Sequence, residues 1–222
     1  MNFRQLLSEF PLVAILRGLA PESAAAIGAA LVEAGFRMIE VPLNSPQPFV
    51  SIERLARAFP DRMIGAGTVL DPQDVDRVRD AGGRLIVMPH SDPAVIARAR
   101  ELGLACTPGV ATPSEGFAAL KVGADAIKLF PAEAMPPAIV RAWRAVFPKD
   151  ALFLPVGGIK PDTMQPFIEA GADGFGLGSA LFTPTLSAAE VAQNALRFAE
   201  AWRSLAAGRS RAAPLTAPGI HH

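Results

Sequence analysis

The chain is short of several things, and each shortage closes off a class of protein. It has one cysteine, Cys106, in 222 residues. No intrachain disulfide can form, which points to a reducing, cytoplasmic setting. It has no surplus of charge, with Lys plus Arg and Asp plus Glu at 21 each. Neither a nucleic acid nor an anionic membrane surface is therefore an expected partner. A small phosphorylated ligand stays open, because it needs only a local nest of backbone amides. No apolar run approaches the roughly 20 residues of a membrane-spanning helix. The opening run M-N-F-R-Q-L-L-S-E-F reads as an amphipathic helix without a signal-peptide pattern. There is no H-x-H, H-E-x-x-H or clustered acidic motif, so the sequence calls for neither a metal nor a cofactor. No G-x-G-x-x-G follows the first apolar segment, which weighs against a doubly wound dinucleotide-binding sheet. Lysine is scarce, at Lys121, Lys128, Lys149 and Lys160 only.

What is present is a rhythm. Short apolar segments recur at residues 12–16, 36–41, 63–66, 84–88, 104–106, 126–130, 152–156 and 174–177. Between them lie helix-forming stretches with recognisable starts: Pro21-Glu22, Asp71-Pro72, Asp92-Pro93, and Thr112-Pro113 with Glu115 at capping-box spacing. Eight strands alternating with helices predict an α/β fold, a (β/α)8 TIM barrel with an added N-terminal helix. It is expected to be one domain over residues 1–205, its last helix spanning 188–203. Residues 206–222, rich in Ala, Pro, Arg and Ser, read as a loose tail whose His221 and His222 make only a weak metal claim.

In such a barrel the C-terminal strand ends line one mouth. The polar residues there are Arg17, Glu40, Asn44, Thr68, His90, Thr107 and Lys128, followed by Gly157-Gly158 and Gly178-Ser179. Lys128 alone among the lysines interrupts an apolar strand. Burial would lower its pKa and make it a nucleophile at neutral pH, whereas the plainer reading is a strand-end lysine that reaches to water. Glu40 lies between Ile39 and Val41, so strand alternation sends its carboxylate to the opposite face. It could shuttle protons there, or it could simply pair with Arg17. The guanidinium of Arg17 suits a carboxylate or phosphate. Gly157, Gly158, Gly178 and Ser179 stand where barrels hold phosphate, after strands seven and eight, though glycines often only turn the chain. Thr68 could bond a substrate carboxylate or cap its own loop. His90 has no evident partner and reads as structural, and Lys160 is expected to face solvent.

Seven runs appear in order along the chain: V-A-I-L-R-G (13–18), I-E-V-P-L-N-S-P (39–46), I-G-A-G-T-V-L (64–70), T-P-G-V-A-T-P-S-E (107–115), I-K-L-F-P-A-E (127–133), V-G-G-I (156–159) and G-L-G-S (176–179). Together they resemble the 2-keto-3-deoxy-6-phosphogluconate/galactonate aldolases. The resemblance implies a metal-free class I aldolase on a (β/α)8 barrel, commonly a homotrimer, acting on a phosphorylated keto acid. It implies Lys128 as the Schiff-base lysine and Glu40 as general acid/base. Arg17 and Thr68 would contact the keto-acid part, and Gly157, Gly158, Gly178 and Ser179 the phosphate. Gluconate-type members usually carry an arginine where this chain has Asn44, and P-L-N-S-P resembles the galactonate branch. Asn44 therefore favours 2-dehydro-3-deoxy-6-phosphogalactonate, with the gluconate epimer or dual specificity as the alternative. Two other readings remain: a phosphosugar isomerase or epimerase, which needs no imine, and a non-catalytic phosphosugar-binding barrel.

Overall fold

A computed structural model of the protein describes the backbone of residues 2–211 and the side chains of residues 2–207. Helix α1 (Phe3–Glu9) opens the chain and strand β1 (Leu12–Ile15) follows. The order is then α2 (Ala24–Ala34), β2 (Met38–Pro42), α3 (Pro48–Ala58), β3 (Met63–Gly67), α4 (Pro72–Asp80), β4 (Leu85–Val87), α5 (Pro93–Glu101), β5 (Ala105–Thr107) and β6 (Gly109–Val110). The chain continues with α6 (Pro113–Val122), β7 (Ile127–Leu129), α7 (Pro137–Arg144), β8 (Phe153–Pro155), α8 (Met164–Glu169), β9 (Phe175–Leu177) and α9 (Ala188–Arg211). Every strand pairing is parallel, as short connections through helices require.

The expected starts form as read. The Asp71 and Asp92 carboxylates accept from the backbone N–H of Gln73 at 2.8 Å and of Ala94 at 2.7 Å. Thr112 and Glu115 make the reciprocal capping box of α6. Gly35 ends α2 in the left-handed region at φ 108°, which glycine adopts without strain.

The structure refines the strand count and the end of the last helix. The strands pair as a six-stranded sheet, β5-β4-β3-β2-β1-β9, and a three-stranded sheet, β6-β7-β8. The expected fifth strand, at 104–106, is β5, and an unexpected short strand, β6, follows it across Pro108, which has no N–H to give a ladder. One parallel bridge, Val156 with Gly176, joins the sheets on the other side. The last helix also runs through Arg211 rather than stopping at residue 203. The part of the expected tail at residues 212–222, with His221 and His222, lies outside the described residues.

Strand alternation divides the core. Ile39, Val41, Ile86, Ile127, Phe153, Phe175 and their like pack outward against the helices. Val13, Met38, Met63, Leu85, Ala126 and Leu154 form a second cluster, on which α1 sets Phe3, Leu6 and Leu7. Glu40 and Lys128 lie two residues beyond Met38 and Ala126, on that same strand face. Among the described residues no helix is long and apolar enough to cross a membrane.

Space inside is made by glycine. A Cβ on Gly65, whose register partner is Glu40, would stand 2.0 Å from the carbonyl oxygen of Leu85. Gly65→Ala is expected to cost about 2 kcal/mol or more, since the obstacle is backbone and cannot rotate away. Denaturant unfolding measures this, and a loss under about 0.5 kcal/mol, the range of a neutral surface change, would contradict the packing.

Candidate functional site

β2 and β7 each bring one ionisable side chain into the strand interior. Glu40 is 2% exposed and Lys128 6% exposed. Both line an inner cavity of about 20 Å³, with Thr107, Val13, Ile15 and Val156 among its walls. A space of that size admits one water if polar groups meet it, and Glu40, Thr107 and Lys128 supply them. Glu40 Oε2 is fully buried with no hydrogen-bond partner. An orphaned carboxylate oxygen is costly in a folded interior.

Burial sets the electrostatics. Desolvation pushes the Glu40 carboxyl up to about 7, although the nearby charges of Lys128 and Arg17 pull the other way. Desolvation likewise holds the Lys128 ammonium below its ordinary range, opposed by Glu40 and assisted by Arg17. Each group is thus moved toward neutrality, the acid upward and the amine downward. The Lys128 ammonium position also lies 4.7 Å from the centre of the Phe130 ring, within cation–π range.

A wider cavity of about 450 Å³ opens above this interior. It brings Arg17 and Lys128 together with Gly157, Gly158, Gly178 and Ser179. Gly157 and Gly158 have φ of 112° and 63°, a left-handed turn that side chains resist. No atom lies within 4 Å of where a Cβ on Gly178 would be, so that glycine leaves open room at the rim.

Other expected residues are placed differently. Arg17 is exposed and makes no ion pair with Glu40 among the described residues. Its Nη1 donates instead to Asn44 Oδ1 at 3.0 Å. Next to it, Gly18 N–H donates to the buried Ser45 hydroxyl at 2.9 Å. Two side chains of the β2 loop therefore hold the β1 loop. Asn44 and Thr68 line neither cavity. Thr68 is half-buried with φ 54°, a strained conformation for a β-branched residue. His90 is exposed, and its carbonyl oxygen accepts from Gly109 N–H at 3.1 Å. Lys160 is exposed, as expected, yet lines the wide cavity.

Thr107, expected at the mouth, is buried and lines the inner cavity. Two features were not singled out from sequence. A Cβ on Gly67 would stand 1.9 Å from Glu40 Oε2, so that glycine is what admits the carboxylate. Glu133 lines the wide cavity against Gly157 and Gly158. The signal for Gly67 was the G-A-G-T run, but its partner lies on another strand. Among the described residues no group of three or more His, Cys, Asp or Glu could hold a metal ion.

Known proteins resemble this chain over most of its length. A family model described as KDPG and KHG aldolase matches residues 3–195. The 2-dehydro-3-deoxy-6-phosphogalactonate aldolase of Escherichia coli (strain K12) is 44% identical over 197 residues, covering 88% of this chain and 96% of that protein. A solved structure described as native KDPGal superposes with TM-score 0.88 at 42% identity, covering 90% of this chain and 97% of the other. A KDPG aldolase from Legionella pneumophila, solved with pyruvate captured as a covalent carbinolamine intermediate, gives TM-score 0.78 at 26% identity, covering 92% and 98%.

The shared interior predicts a coupled titration. Because the Lys128 charge holds the Glu40 carboxyl down, Lys128→Met is expected to raise it above about 7. Infrared or carboxyl carbon NMR titration of the variant reads this directly. A Glu40 titration that stays put or falls would show that the two groups do not share a field.

Proposed function

The chain belongs to the KDPG and KHG aldolase family, a family of carbon–carbon lyases, and on that premise we propose that its substrate is 2-dehydro-3-deoxy-6-phosphogalactonate. The observation that carries the mechanism is a buried amine and a buried acid, each shifted toward neutrality, beneath a glycine-walled cavity. Lys128 Nζ attacks the C2 ketone, and loss of water from the carbinolamine gives an imine that draws electrons. Glu40, acting through a water, takes the C4 hydroxyl proton as the C3–C4 bond breaks. D-Glyceraldehyde 3-phosphate leaves, and the remaining enamine is protonated at C3. Hydrolysis then frees pyruvate and the amine. A carboxyl with pKa about 7 suits both directions of proton transfer near neutrality.

Phosphate held at Gly157, Gly158, Gly178 and Ser179 orients the chain of the substrate over Lys128, so that remote binding energy serves positioning. Arg17 binds the keto-acid carboxylate, with Thr68 as a second contact. Asn44 supports the choice of epimer: it fixes the Arg17 guanidinium where an arginine would repel it. A site that bonds one hydroxyl configuration rejects the other strongly when dry. The same reading takes residues 1–205 as one domain and the two sheets as one (β/α)8 barrel. The Val156–Gly176 bridge and the short step across Pro108 support closure. A cytoplasmic homotrimer completes the reading, resting on family likeness.

Pyruvate release from the two epimeric 6-phosphates, with EDTA present and Lys128→Ala as control, tests the substrate. The galactonate epimer is expected to be preferred, and preference for the gluconate epimer would overturn that choice while keeping the imine. Borohydride with pyruvate should label Lys128; labelling elsewhere would displace it.

The pH profile tests Glu40. Protonating Glu40 removes its base function, so kcat/KM should fall below about pH 7. Glu40→Gln should lower the rate by about 10²-fold or more and abolish that limb. An unchanged acid limb in the variant would assign it to another group.

A further inference from the structure

After β7 the chain crosses the cavity rim through Pro131 and a 3₁₀ turn at Ala132–Ala134. Ala132 N–H donates to the Val156 carbonyl at 2.8 Å, which pins this turn against the end of β8. The pinned turn delivers Glu133 to the Gly157-Gly158 bend. A Cβ on Gly157 would stand 2.1 Å from Glu133 Oε2, and one on Gly158 2.7 Å from Glu133 Cγ. The two glycines therefore give room to a carboxylate as well as adopting a left-handed turn. Among the described residues that carboxylate has no hydrogen-bond donor and no ion pair. Lys160 lines the same cavity but does not bridge to it.

An unpaired carboxylate is an unexpected wall for a cavity that takes a phosphate. A phosphate monoester carries close to two negative charges above its second pKa of about 6, so the carboxylate opposes the ligand that the glycines receive. We propose that Glu133 weakens the grip on the phosphoryl group at this site. Its charge limits how tightly free phosphate and the departing aldehyde phosphate are held. Whole substrate meets the same repulsion, but its keto-acid end, bound near Lys128 and Arg17, supplies affinity that the phosphate fragments lack. Glu133 therefore eases the release of fragments that have only the phosphate. The inference rests on the reading of Gly157, Gly158, Gly178 and Ser179 as the phosphate site.

Inorganic phosphate is the probe, used as a competitive inhibitor of aldol cleavage above pH 8 at low ionic strength. Glu133 is exposed, so solvent screening keeps the expected effect modest. Glu133→Gln and Glu133→Ala should each lower the inhibition constant about two- to fivefold. The gain should shrink in about 1 M KCl, where charges are screened beyond ~3 Å. A misfolded variant cannot bind phosphate more tightly, so the direction of the change separates this role from a structural one. Ser179→Ala serves as the control and should raise the constant. If wild-type protein is not competitively inhibited and Ser179→Ala changes nothing, the phosphate-site reading fails and this inference falls with it. If Ser179→Ala weakens inhibition while neither Glu133 variant tightens it, the Glu133 assignment alone fails. Tightening that persists undiminished in high salt would assign the effect to shape and overturn a role for charge.

Discussion

The structure depends on two opposite ionisable groups kept out of water within one strand interior. Neither Glu40 nor Lys128 would be tolerated there alone as a full charge, because desolvation of an unpaired ion is costly. Together they are not a conventional salt bridge either: no contact within 4 Å joins them among the described residues. They are close enough to feel each other's field and far enough to leave space between. Burial outweighs attraction for both, which is why both shift toward neutrality. A tight ion pair would have held the amine more firmly in its charged form.

That spacing is maintained by residues with no chemistry of their own. Gly67 on β3 removes the side chain that would fill the place of the Glu40 carboxylate. Gly65 leaves room for the Leu85 backbone, and Gly176 for the Val156 and Ile15 side chains. Below them α1 packs Phe3, Leu6 and Leu7 onto the interior cluster. The apolar floor is thus part of the electrostatics, since it removes the solvent that would restore ordinary pKa values.

Much of this was legible in sequence because it is local. Strand alternation around Glu40, the lone lysine inside an apolar strand, and the aspartate and threonine helix starts depend on neighbours a few residues away. Features that depend on distant partners were not legible. β6, across Pro108 from β5, pairs in a different sheet, which no local pattern reports. Arg17 was weighed as a partner for Glu40, but the β2 loop offers it Asn44 instead. The demand for Gly67 comes from Glu40 on the neighbouring strand. The helical continuation of α9 to Arg211 was missed because the tail was judged by composition rather than by helix propensity.

The Arg17–Asn44 hydrogen bond connects the β2 loop to the electrostatics of the interior. Arg17 enters the electrostatics of both buried groups, pulling the Glu40 carboxyl and the Lys128 ammonium downward. It also lines the wide cavity. Asn44 and Ser45, consecutive on the β2 loop, hold the guanidinium and the Gly18 backbone respectively. β2 itself carries Glu40, so one strand and its loop position the acid and the cation that tunes it. An arginine at position 44 would offer no acceptor to Arg17 and would add a like charge beside it. The guanidinium would then have to turn elsewhere. Substitution at this loop position would therefore move the guanidinium and with it the field at both buried groups, although Asn44 itself lines neither cavity.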